Sequence, residues 1–169
     1  MKSLESITLH RIELPLKVPY KLAFGPVTHF DTLIVNVTDA NGNQGFGEAT
    51  ILTGYTEETI TGSWDLIQEL AKKLVGQSEE SNQHLLDQYI ASDPFTVTAL
   101  SSAIELAKHK SEFLNQSIAT IPILGVVNAE TLEDLELEIE NLLSNGFKTL
   151  KVKVGFDVDK DSLKVKNAQ

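Results

Sequence analysis

Apolar and polar positions alternate along the first fifty residues, and beyond them the apolar positions recur at helical spacing. Residues 6–16 predict a strand that ends at Pro15. Residues 17–31, with Pro19, Gly25 and Pro26, predict a loop. Leu33-Ile34-Val35-Asn36-Val37 is a β-rich run, Asn41-Gly42 a hairpin turn and 44–50 the returning strand. Together these predict a three-stranded antiparallel meander. After a second loop, 51–55, Thr56-Glu57-Glu58 supplies a capping hydroxyl and first-turn acids. The helix it opens places Ile60, Trp64, Ile67, Ala71 and Leu74 on one face. A shorter helix is expected over 82–91, broken by Asp93-Pro94, and a third over 96–114, with Leu100, Ala103, Ile104 and Ala107 as a small-residue packing face.

The pattern then changes. Residues 121–129 form a continuous apolar run, the signature of a strand covered on both faces. Thr131-x-x-Asp134 resembles a capping box, and Leu132, Leu135, Ile139, Leu142 and Leu143 make the apolar stripe of the helix it opens. Asn145-Gly146 ends that helix, and 147–154 read as the next strand. Strand, helix and strand at this spacing form a βαβ unit with parallel pairing. The expected fold is therefore an α+β domain over residues 1–118, followed over 119–169 by the start of a TIM-like (β/α) barrel. Only polar chain follows Gly155, so the barrel is expected to stop after its second strand.

Composition narrows the function classes. A net charge of −10 argues against nucleic acid as a partner. With no cysteine there can be no thiolate metal site, disulfide or Cys nucleophile. No apolar run approaches membrane-spanning length, and the first residues carry no signal-peptide core, so a cytoplasmic protein is expected. Asp157, Asp159 and Asp161 alternate but lack the glycine and distal glutamate of a calcium loop, and read as a solvated acidic turn. The histidines show no ligand spacing, and no metal site is expected on these residues.

One pair of side chains suggests catalysis. Lys151 and Lys153 lie two apart on a strand and so share a face. On an edge strand both would be solvated. Inside a barrel, mutual repulsion and desolvation would lower their basicity and suit one of them to act as a general base.

Four stretches, taken in order, resemble the enolase superfamily, in its muconate-lactonizing (mandelate racemase/muconate cycloisomerase-like) branch. They are Leu14-Pro15-Leu16 through Phe24-Gly25, Asn41-Gly42 with Gly45-Phe46-Gly47-Glu48-Ala49, Ser102-Ala103-Ile104-Glu105-Leu106-Ala107, and Gly146-Phe147 through Leu150-Lys151-Val152-Lys153-Val154-Gly155. The resemblance covers nearly the whole chain, but only about the first half of a family member. It implies a capping domain joined to a barrel that binds Mg²⁺. It also implies an isomerase or lyase of cycloisomerase, epimerase or o-succinylbenzoate-synthase type, moving a proton α to a carboxylate through an enolate. Lys153 would be the acid/base and Lys151 its electrostatic tuner. The Mg²⁺ ligands would fall on later barrel strands, past Gln169. Two capping loops would close over a small carboxylate substrate. They carry Tyr20, Phe24 and His29 in the first, and Thr53 and Tyr55 in the second. The aromatic residues could line a pocket or simply pin the loops. On this expectation the chain alone is inactive. The alternative is a non-catalytic interaction module, self-associating through exposed barrel strands or completed by a second chain.

Overall fold

A computed structural model describes residues 3–22, 25–114, 119–129, 131–155 and 157–168, with the side chains of residues 21 and 109–114 left out. The chain divides into two compact units, Met1–Gln116 and Ser117–Gln169.

The first unit opens with β1 (Leu4–Leu22), β2 (Gly25–Asp39) and β3 (Gln44–Thr50), an antiparallel sheet in the order β1-β2-β3. The alternation seen in the sequence sets its register: Ile7 faces Val37, Leu9 faces Val35, and Leu33 faces Ala49. The odd-numbered positions Leu33, Val35 and Val37 are fully buried, while Ile34, Asn36 and Thr38 lie partly exposed on the other face. Three helices follow: α1 (Ile60–Leu74), α2 (Glu79–Asp87) and α3 (Pro94–Leu114). Ile67, Leu70 and Leu74 of α1, Leu86 of α2 and Val97, Leu100 and Ala103 of α3 complete one core with the sheet.

The glycines of β3 let α3 approach the sheet. A Cβ at Gly45 would lie 2.0 Å from the Ala103 carbonyl oxygen, and one at Gly47 would lie 1.9 Å from that of Ala99. No side chain fits there, because the obstacle is helix backbone. Small residues on both partners, Gly45-x-Gly47 and Ala99/Ala103/Ala107, bring the two backbones into contact.

The β2–β3 turn uses Gly42 at φ +79° and the buried carboxylate of Asp39. The backbone N–H groups of Asn41 and Asn43 donate to Asp39 Oδ1 at 2.8 and 2.9 Å, and Asn43 Nδ2 donates to Oδ2 at 3.0 Å. Burial pushes this carboxyl up, but the hydrogen bonds from Asn43 and Asn41 together outweigh it and hold it below the ordinary aspartate value. Between the start of α2 and the C-terminal part of α3, the Lys108 ammonium pairs with Glu79 and helps bring that carboxyl down to about 2.

Several boundaries differ from the sequence expectation. Residues 17–22 and 25–31, expected as part of a loop, instead continue β1 and β2, paired out to Leu22 and Gly25. The register shifts between Pro15 and Tyr20, where an edge strand tolerates the missing proline N–H groups. The cap of α1 is Thr59, whose hydroxyl accepts from Gly62 N–H, because Thr56 and Glu58 are engaged elsewhere. Helix α2 starts at Glu79 on a Ser78 cap rather than at Asn82. Pro94 does not break a helix but starts α3, where its missing N–H costs nothing.

In the second unit, β4 (Gly125–Val127) pairs in parallel with β5 (Leu150–Val152), and α4 (Leu132–Ser144) lies between them in the chain. The Thr131 hydroxyl caps α4 by accepting from Asp134 N–H. Both strands are shorter than their apolar runs, since Ile121 and Ile123 lie outside β4, 77% and 70% exposed. The unit closes with a helix the sequence reading did not expect, α5 (Val158–Asn167). Asp157 caps it, so the acidic stretch is a helix start rather than a turn. No helix among the described residues is long and apolar enough to cross a membrane.

Candidate active site

The residues with candidate chemistry fall into two groups, one in each unit. In the second unit Lys151 lies in β5, exposed, and Lys153 follows the strand directly, half-buried. A two-stranded sheet does not enclose Lys151, so these strands do not supply the desolvation that a barrel interior would. The carboxyl ends of both strands are tightly held. Glu138 of α4 accepts from the backbone N–H groups of Asn128 and Ala129 at 2.8 and 2.7 Å. Asp161 of α5 likewise accepts from Gly155 and Asp157 at 2.7 and 3.2 Å. Each strand-to-helix loop is thus stapled by a carboxylate from the helix that follows it, and the second staple lies two residues beyond Lys153. Beside it runs a shallow groove of about 610 Å³ lined by Val154, Val158 and Val165 with Asp157, Asp161 and Lys166.

In the first unit the long β1–β2 hairpin brings Tyr20 onto Phe30 edge to face, with ring centroids 6.0 Å apart. His29 Nε2 lies 3.6 Å from Asp31 Oδ2, and Arg11 Nη2 lies 3.6 Å from Asp31 Oδ1. The Asp31 carbonyl accepts from Ile51 N–H at 2.9 Å, which ties the start of the second loop to the base of the first. In that loop, Tyr55 N–H donates to the Leu52 carbonyl at 3.1 Å, and Tyr55 is 64% exposed. The Thr53 hydroxyl donates to the Glu58 carbonyl at 2.8 Å. Glu58, only 4% exposed, sends its carboxylate to the start of α3. His29 and Tyr20 thus share one hairpin, and Thr53 and Tyr55 share a turn fastened to its base. Phe24 lies outside the described residues.

Residues 5–121, nearly all of the first unit and the start of the second, match a single family description, "Mandelate racemase / muconate lactonizing enzyme, N-terminal domain". The chain belongs to this family. Among the mandelate racemase/muconate lactonizing proteins it resembles, the L-Ala-D/L-Glu epimerase of Francisella tularensis subsp. novicida is 26% identical over 95% of this chain and 48% of its own length. The o-succinylbenzoate synthase of Geobacillus kaustophilus is 25% identical over 93% of this chain and 46% of its own. Two solved structures agree. The L-Ala-D/L-Glu epimerase of Bacillus subtilis superposes with a TM-score of 0.85 at 25% identity, over 98% of this chain and 49% of that one. The dipeptide epimerase of Cytophaga hutchinsonii, complexed with Mg and D-Ala-L-Val, gives 0.83 at 26% identity, over 98% and 48%. The chain spans about half the length of the curated relatives it matches. The likeness extends through both units, so the fold is the family's capping domain followed by the first βαβ unit of the barrel.

Magnesium is bound in the structure of the Cytophaga relative, but the described side chains of this chain do not converge on a metal site. Among the described residues no group of three or more His, Asp or Glu is placed to hold a metal ion. Asp157 and Asp161, which follow Lys153 in sequence, are both committed to backbone N–H groups. Sequence reasoning missed Glu58, Asp31, Glu138 and Asp161. Asp161 left a trace in the alternating acidic stretch, and Glu58 as an acid beside a helix start, though its true partner lies 38 residues away.

Proposed function

We propose that this chain supplies the capping domain and the first acid/base of an enzyme that moves a proton at the carbon α to a carboxylate. Lys153 is the acid/base and Lys151 its electrostatic tuner. The observation that carries this reading is a Lys-x-Lys pair at the carboxyl end of a parallel strand in a βαβ unit, within a family member. Barrel enzymes build their sites at that end of the strands. The neutral amine of Lys153 takes the α-proton, and the ammonium then formed returns it. A single base working from one face exchanges the α-hydrogen without inverting the carbon. Inversion requires a second base on the opposite face, which β4 and β5 do not carry. The relatives point to dipeptides, N-succinylamino acids or an o-succinylbenzoate precursor as the substrate class. Tyr20, Phe24 and His29 on one loop, and Thr53 and Tyr55 on the other, are assigned to substrate contact. Magnesium belongs to this reading only through side chains other than those described. We expect no turnover from the chain alone, and we place it in the cytoplasm.

The test is α-deuterium incorporation. The chain is fused to the C-terminal half of the Cytophaga dipeptide epimerase and incubated with L-Ala-L-Glu in D₂O. Incorporation is expected in the fusion, and its loss in the Lys153→Ala variant. A fusion that exchanges undiminished without Lys153 overturns the assignment. Magnesium-dependent exchange by the unfused chain, abolished by Lys153→Ala, overturns the expectation of inactivity.

A second reading rests on a different observation. The second unit exposes Ile121, Ile123, Leu137 and Val158, and its two-stranded sheet has open edges among the described residues. As a non-catalytic module it would bind another chain, or another copy of itself, through those strands.

A further inference from the structure

We infer that Glu58 is a positioning residue for the loop that presents Thr53 and Tyr55, a role that rests on reading this loop as a substrate contact. A carboxylate only 4% exposed persists when its oxygens are hydrogen-bonded. Glu58 Oε1 accepts from Thr96 N–H and from the Thr96 hydroxyl, both at 2.9 Å. Oε2 accepts from Phe95 N–H at 3.0 Å and from the Thr56 hydroxyl at 3.2 Å. The two N–H groups belong to the first turn of α3, where no intrahelical acceptor exists and where the helix dipole favours a negative charge.

The other half of the arrangement faces the loop. The Glu58 carbonyl receives the Thr53 hydroxyl, and Thr56 Oγ1 accepts from Glu58 N–H at 3.2 Å. Gly54, at φ +108°, closes the turn between them by donating to the Thr56 carbonyl. One residue therefore holds a helix start on its side chain and a loop on its backbone. The helix is itself seated on β3 through Gly45 and Gly47, so the loop is moored to a helix packed backbone against backbone on the sheet. The position of Tyr55 follows that of α3.

Glutamine at this position offers one carbonyl oxygen where two oxygens now accept, and it turns an amide N–H₂ toward donors. Alanine removes the mooring altogether. The loop should loosen in both variants, more in the second, while the sheet stays folded. In a completed enzyme this predicts a raised KM with kcat little changed, because Lys153 is untouched.

The experiment uses the full chain and reads the amide exchange of Gly54 and Tyr55, both hydrogen-bonded within the turn. Glu58→Ala should speed their exchange at least tenfold and Glu58→Gln by less, relative to the native chain. Asp39→Ala, which weakens the β2–β3 turn instead, should leave them unchanged. Equal exchange in the native chain and Glu58→Ala overturns the proposal, as does an equal rise in Asp39→Ala. If Glu58→Ala does not fold, Thr96→Val decides. Removing one donor to Glu58 should speed exchange about threefold, and no change overturns the mooring. Dipeptide titration separates this from the functional reading. A Tyr55 amide resonance that dipeptide does not move counts against substrate contact, while faster exchange in Glu58→Ala still supports positioning.

Discussion

The two units of this chain solve the burial problem differently. Among the described residues, seventeen of the nineteen buried apolar side chains belong to the first unit, and the second has only Val127 and Leu135. The second unit instead exposes ten large apolar side chains, from Ile121 to Val165. The difference follows from strand type. A meander strand such as β2 needs cover on one face, and one layer of helices supplies it. A parallel strand such as β5 needs cover on both faces and a neighbour on each edge. The first unit is complete by that criterion. The second has four good local devices, two helix caps and two carboxylate staples, but no core to join them to.

The comparison sharpens most in the first unit, where the core has no slack. Gly47→Ala should cost about 3 kcal/mol or more, because the new methyl meets the Ala99 carbonyl rather than a movable side chain. Urea denaturation of the full chain measures it, and a loss below about 1 kcal/mol would mean that α3 is not seated as described. Leu100→Ala should cost about 2–5 kcal/mol in the same assay, since Leu100 is fully buried. Leu163→Ser in α5, where Leu163 is 48% exposed, should shift the unfolding midpoint by less than about 0.5 kcal/mol.

Local order in the second unit is testable separately. Thr131→Ala should cost α4 about 1 kcal/mol, read as faster exchange of the Asp134 amide, with no effect on the first unit. The pH dependence then distinguishes the two units again. Asp39 has its native pKa below 3.8, so its stabilising contribution is complete above 3.8 and is lost as pH falls through the native value. The stability gap between the native chain and Asp39→Asn should be constant at neutral pH and shrink below pH 3.8. A gap that widens on acidification contradicts the hydrogen-bonded carboxylate.

Much of this architecture was legible in the residues. The alternation around Leu33–Val37 and the Asn41-Gly42 pair set the meander. The shift to continuous apolar runs marked the βαβ unit, and Lys151-x-Lys153 marked the candidate chemistry. What the sequence hid was non-local or overridden. Pro15 read as a strand end and Pro19 as loop because proline is a poor strand residue, yet an edge strand with a register shift accommodates both. Glu58 read as a first-turn acid because its partners, Phe95 and Thr96, are far away in sequence. Helix α5 was concealed by a polar composition in which Val158, Leu163 and Val165 are its sparse apolar positions. Gly45 and Gly47 read only as part of the returning strand 44–50, because α3, whose backbone meets them, is far away in sequence.

The central claim is that the first unit holds itself together and the second does not. Amide exchange of the full monomeric chain tests it directly. Val35 and Val37 in β2 and Leu100 in α3 should exchange at least a hundredfold more slowly than Val126 and Val152 in β4 and β5, after correction for intrinsic rates. Comparable protection in both regions, in a chain shown to be monomeric, would contradict the account, because β4 and β5 would then have found cover that the exposed side chains around them do not provide.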